Sequence, residues 1–130
     1  MKPFCRIRRD QDGATAIEFA FAAPVLVVMM WGIFQFGVVF GSDAGMQHAL
    51  GEGARFATIW PTPTDAQVKQ RMDDELFKVG YGTFVVSEPV RNTPNGYIDL
   101  QVTYQMTPNL LFFSLPQITL TRTKRAYMST

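Results

Sequence analysis

The segment DGATAIEFAFAAPVLVVMM, residues 12–30, is strongly apolar after Asp12, yet it carries one further acid, Glu18, near its start. It leads into an uncharged run, residues 19–42, whose 24 residues would measure about 36 Å as an α-helix. That length exceeds the ~30 Å hydrocarbon core of a bilayer. The segment therefore predicts a membrane-spanning helix, and the isolated carboxylate at its edge needs a partner or a role.

The charges on either side of the apolar run predict its orientation. Residues 1–13 carry four basic side chains, whereas the acids Asp43 and Glu52 follow the run. By the positive-inside rule the N-terminus lies in the cytoplasm and the C-terminal part lies outside the membrane. A cleaved secretory signal is an alternative, but the apolar run is about twice the usual length of ~7–15 residues.

The composition argues against several classes of function. The net charge is +1, and no basic stripe interleaved with aromatics follows the leader, so no nucleic-acid partner is expected. One cysteine, Cys5, and one histidine, His48, are too few for an internal disulfide, a thiolate metal site or a conventional catalytic triad. We expect a non-enzymatic protein with no metal, no cofactor and no small-molecule substrate.

The residues around Glu18 resemble a known processing site. A basic leader, Gly13, four small or apolar residues, Glu18 and Phe19 follow one another. This order resembles the cleavage region of type IV prepilins, in which a membrane-embedded aspartyl peptidase cuts after the glycine on the cytoplasmic face. The resemblance implies that prepilin peptidase removes residues 1–13 and that Ala14 becomes the new N-terminus.

The similarity extends further along the chain. GATAIEFAFAAPVLVV with Pro24, GIFQFG at 32–37 and EGARFA at 52–57 together resemble the TadE-like family of pseudopilins, over roughly residues 8–60. The resemblance implies a minor pilin in a bacterial inner membrane, which takes part in assembling a Tad (tight-adherence) pilus for surface adherence. Its partners would be other pilin-like subunits and the assembly machinery. Pro24 either permits a kink or is simply tolerated.

Cleavage would supply the partner that Glu18 needs. The new α-ammonium on Ala14 would lie one helical turn from Glu18 on the same face, so the carboxylate could neutralise it within the chain or in a neighbour. In a bundle of such helices only one axial stagger allows the neighbouring pair, so the charge would set the register. A glutamate that stays hydrated at headgroup depth is the alternative.

Beyond the span, the pattern predicts a small α+β head. Helical spacing continues as a stalk to about Trp60, and Thr64 opens a capping box for a second helix over 65–79. That helix could cover one face of an antiparallel sheet of about three strands. The predicted strands span residues 83–86, 97–106 and 118–128, the last of them an exposed edge. We expect three segments, which are the leader 1–13, the transmembrane helix and stalk 14–60, and the extracytoplasmic head 61–130.

Two stretches are candidate contact surfaces. PNLLFFSLP, residues 108–116, is unusually apolar for a loop, and either contacts a protein or a membrane or packs under the sheet. The EGAR stretch either forms an ion pair at i and i+3 or meets a partner subunit. The candidate contact residues are Glu52, Arg55, Leu111, Phe112 and Phe113. An uncleaved, signal-anchored envelope protein, whose head binds a ligand or supports a secretion complex, is the alternative function.

Overall fold

The longest element of the protein is a single N-terminal helix. The computed structural model describes residues 11–110 and 113–128, so most of the predicted leader lies outside the described residues. Helix α1, Gln11–Ala57, is long and apolar enough to cross a membrane, and it continues through Pro24 without a break. It ends three residues before Trp60. There the amides of Thr58 and Ile59 each donate to the carbonyl three residues earlier.

The second helix, α2, is Asp65–Glu75. The predicted capping box is present: the Gln67 amide donates to Thr64 Oγ1 at 3.3 Å, and the Thr64 amide donates to Gln67 Oε1 at 2.9 Å. The expectation that this helix runs to residue 79 is wrong, because Leu76 is already extended. The next residues lie along α1 instead, where Ser42 Oγ donates to the Val79 carbonyl at 3.4 Å.

The strands of the head are β1 Thr83–Val86, β2 Val90–Asn92, β3 Tyr97–Met106, β4 Asn109–Leu110, β5 Phe113–Ser114 and β6 Ile118–Tyr127. The antiparallel sheet is three strands wide. The central strand β3 pairs along its full length with β6 on one side, and with the shorter β1 and β2 on the other. Strands β1 and β2 lie end to end, and the three residues between them, 87–89, face only two residues on β3, which makes a bulge in this edge of the sheet.

The α+β prediction is confirmed, and the alternation along β3 is its clearest sign. The alternate side chains of β3 that were expected to face the core are buried: Ile98, Leu100, Val102, Tyr104 and Met106. The second helix does not cover them alone. The C-terminal part of α1 packs directly on β3 and β6, while α2 packs on α1 and β1. The α1 side of this core is formed by Met46, Ala49, Leu50, Gly53 and Ala57.

Short β4 and β5 form a separate hairpin. Asn109 pairs with Ser114, and Leu110 pairs with Phe113. The Leu115 amide also donates to the Pro108 carbonyl at 2.9 Å, which closes the base of the hairpin. The hairpin lies beside α1 at the point where the helix leaves the head.

Candidate assembly and membrane-contact surface

The predicted processing residues lie in the first turns of described α1. Gly13, Ala14, Glu18 and Phe19 are all exposed, and none of them is packed by the head. No described atom lies within 4 Å of the position that a β-carbon on Gly13 would take. Glycine is a poor helix former, so the described fold offers no packing reason for a glycine at this position.

The membrane helix presents a broad apolar surface. From Gly13 to Phe34 nearly every side chain is exposed, and Trp31 stacks on Phe34 with ring centroids 5.4 Å apart. Apolar surface of this extent is costly in water, at about 25 cal/mol per Å². Lipid or neighbouring helices must therefore cover it. Its large exposed members include Ile17, Phe21, Leu26, Met30, Ile33, Phe36 and Phe40.

One polar side chain within the apolar run links α1 to the hairpin. Gln35 is only 4% exposed, and its amide both donates to the Asn109 carbonyl and accepts the Asn109 N–H at 3.2 Å. Trp31 Nε1 donates to the same carbonyl at 2.6 Å. Sequence reasoning assigned Gln35 no role, although a lone amide in an otherwise apolar span is itself a signal.

The apolar 108–116 stretch lies against the membrane helix. Leu110 and Leu115 face α1 across a groove of about 280 Å³, lined almost entirely by apolar atoms that include those of Val28 and Phe36. Of the predicted contact residues here, Leu111 and Phe112 lie outside the described residues, and Phe113 is described only as part of the β5 backbone. Their role in partner contact therefore stays a prediction.

The EGAR stretch forms an ion pair within the chain. Arg55 Nη2 lies 2.8 Å from Glu52 Oε2, and Arg55 Nε donates to the same oxygen at 3.1 Å. The hydrogen bond from Arg55 is the main cause that lowers the pKa of Glu52. The Arg55 side chain is still 64% exposed, so it remains accessible to a second protein.

A second ion pair links α1 to the sheet just above the apolar run. Arg122 on β6 donates through Nε to Asp43 Oδ1 at 2.6 Å. This hydrogen bond is the main cause that lowers the pKa of Asp43. Elsewhere in the described head, Arg125 pairs with Asp99 at 2.7 Å, and no group of three or more metal-ligating side chains is found in the part of the chain that the structure describes.

Comparison with known protein families finds a match for the N-terminal helix. The model described as TadE-like protein matches residues 13–55. Residues 13–55 are similar to the TadE-like family. The match confirms the resemblance inferred from the motifs, and it covers α1 almost completely but none of the sheet.

The TadE-like match supports, in general terms, an association of the chain with the Tad pilus system. The family is associated with that system and is structural rather than enzymatic. Together with the apolar α1, the match supports anchoring in a membrane. Comparison with curated proteins and with solved structures found no match for the chain.

Proposed function

We propose that the chain is a minor pilin, or pseudopilin, that takes part in assembling a Tad-type pilus after prepilin peptidase cuts between Gly13 and Ala14. The observation that carries the proposal is the TadE-like match, which begins at Gly13. The exposed apolar surface of α1 adds support, because it extends beyond the head and is available to other helices. In this arrangement the N-terminus is cytoplasmic and the head faces the periplasm or the exterior.

Assembly would proceed by helix packing in the membrane. After cleavage, the α-ammonium of Ala14 in one chain would pair with Glu18 of a neighbour, and the stagger of the two helices would be set by that pair. Phe19 and Pro24 lie on the same exposed stretch of α1, where they would contact the neighbouring helices. The exposed guanidinium of Arg55 gives the C-terminal part of α1 a charged contact for a second subunit.

Replacing Glu18 with glutamine tests this mechanism. The variant keeps size and hydrogen-bonding capacity but loses the charge, so it should still insert into the membrane and still be cut. Pilus assembly should fail, because an ammonium left unpaired in an apolar setting costs roughly 3–5 kcal/mol. Cleavage and pilus number are counted in the same cells. Glu88→Gln is the matched control, since Glu88 pairs with Lys69 on the surface of the head.

The outcomes separate the parts of the proposal. Normal cleavage with normal pili in Glu18→Gln cells would refute the register role of the acid and leave it as a hydrated interfacial group. Normal processing of Gly13→Leu would refute the assigned cleavage site, because a pocket sized for glycine should not admit leucine. If the chain instead stays full length while pili form normally, the alternative of an uncleaved, signal-anchored envelope protein is correct.

A further inference from the structure

Within the sheet and residues 107–117, charged side chains are confined to one end. The Asp43–Arg122 ion pair marks the boundary, and Arg122 lies opposite Val102 on β3. Beyond that register, toward the membrane helix, there is no acidic, basic or histidine residue in β1, in the remainder of β3, in residues 107–117 or in the first four residues of β6. The uncharged run on α1 and the uncharged end of the head therefore lie side by side.

The length of α1 places the hairpin within the depth of a bilayer. Glu18 is the last charged residue before the apolar run, and Trp31 and Gln35 follow it by about 20 Å and 26 Å at ~1.5 Å per residue. Both distances are shorter than the ~30 Å hydrocarbon core. Asp43 lies about 37 Å from Glu18 on the same scale, beyond that core. If Glu18 marks one boundary, Asn109 is held inside the opposite leaflet.

At Asn109 and at its base, the described part of the hairpin has its backbone hydrogen-bonded in a way that suits that environment. An unsatisfied backbone group in hydrocarbon costs several kcal/mol, because no water is available there. Gln35 pairs with both the N–H and the C=O of Asn109, and Trp31 adds a second donor to the carbonyl. Leu115 bonds to Pro108 at the base. A buried glutamine in the membrane helix is explained if its function is to satisfy this backbone away from water.

We propose that the described part of hairpin β4–β5, with the flanking Pro108 and Leu115, inserts into the outer leaflet, and that lipid acyl chains fill the groove between it and α1. Lipid is the favoured occupant because the groove opens from the same apolar surface of α1 that crosses the bilayer, and because its lining is apolar. The head is then seated on the membrane instead of standing above it on a stalk. The proposal rests on α1 crossing a membrane with the head outside, as proposed above, and not on cleavage or pilus assembly.

Site-directed spin labelling of the full chain tests the insertion. Cys5→Ser removes the native cysteine, and Leu115→Cys then places a nitroxide label on the hairpin. Val90→Cys is the matched control, because Val90 is apolar and 64% exposed but lies in the charged part of the head. The protein is reconstituted in phosphatidylethanolamine and phosphatidylglycerol vesicles. We expect the label at 115 to collide more with oxygen than with a water-soluble nickel chelate, and the label at 90 to show the reverse.

The paired hydrogen bonds between the Gln35 amide and the Asn109 backbone, here called the Gln35 clamp, allow a second, independent readout. In the 115-labelled chain, Gln35→Leu leaves the Asn109 N–H without its partner, so the hairpin should move toward water and its collisions with the nickel chelate should rise to the level seen at position 90. Gln101→Leu, at an exposed position on β3, should leave the label at 115 unchanged. Continued shielding of the label in Gln35→Leu would contradict the role of the clamp.

Two results would overturn the proposal itself. One is equal exposure of positions 115 and 90 to the nickel chelate, which would place the hairpin in water. The other is protection of position 115 from both oxygen and nickel that grows with the protein-to-lipid ratio, which would mean that a second copy of the chain, and not lipid, covers the groove. Either result can be obtained whether or not the chain is cleaved, so failure here is distinguishable from failure of the pilin proposal.

Discussion

Replacing Gly45 with alanine should weaken the packing of the head on α1. A β-carbon on Gly45 would lie closer than 3.0 Å to the Phe77 carbonyl oxygen, a distance that real β-carbons essentially never show. Since a backbone atom cannot rotate away, the segment after α2 must shift off the helix, and overpacking of this kind costs about 1–3 kcal/mol. Alanine recovers about 1 kcal/mol of helix propensity. The net loss of stability should therefore be between zero and about 2 kcal/mol.

Gly51→Ala is the matched control on the same helix. The only described atom near its β-carbon position is Lys124 Nζ at 3.9 Å, so this variant should gain the helix propensity without a clash. The difference between the two variants then isolates the overpacking cost of about 1–3 kcal/mol, which corresponds to a ~5–150-fold difference in an equilibrium constant. Hydrogen exchange of the β3 amides, followed by mass spectrometry on the full chain in detergent micelles, measures it. Equal protection in both variants would refute the close approach of Phe77 to α1.

Three further perturbations probe the head. Tyr104→Phe removes the hydroxyl that donates to the Tyr81 carbonyl at 2.6 Å, and should cost about 1–2 kcal/mol in urea unfolding; an unchanged midpoint would contradict that bond. Met72→Ala empties a fully buried site between α1 and the sheet and should cost about 2–5 kcal/mol by the same assay, whereas a loss below about 1 kcal/mol would show a loosely packed core. Because Arg122 lowers the pKa of Asp43 below 3.8, their pair should stabilise the head fully above that pH and progressively less as pH falls through the lower folded pKa. The loss is about 1 kcal/mol or less for so exposed a pair, and a pH titration in which Asp43→Asn shows the same acid dependence as the parent would refute it.

Local patterns predicted the elements that depend on local interactions. The alternation of residues 97–106 follows from a strand with one buried face, and the capping box at Thr64 depends on a residue three positions away, so both could be read from short stretches. The end of α2 could not be, because Leu76 leaves the helix in favour of contacts with α1 more than 30 residues earlier. Strand β2 has only three residues, too few to show a period.

The residues of the candidate surface also differ in whether the sequence alone could identify them. Gly13, Ala14 and Glu18 are close in sequence, so a motif could identify them without any tertiary structure. The Gln35 clamp joins residues 74 positions apart, and nothing in the 108–116 stretch indicates which turn of α1 its backbone meets. The sequence did contain two signals, which are the exceptional amide at Gln35 and the absence of charged residues from 100 to 121. Only the register of β3 with β6 places that uncharged stretch beside the membrane helix.

The mass of the chain purified from its native membrane tests the central claim most directly. If the protein is a pseudopilin processed by prepilin peptidase, the intact mass and the N-terminal sequence should correspond to a chain that begins at Ala14, with residues 1–13 absent. The same measurement on the Gly13→Leu variant should then give the full-length chain. A wild-type protein that retains residues 1–13, in cells whose prepilin peptidase processes its other substrates, would contradict the account.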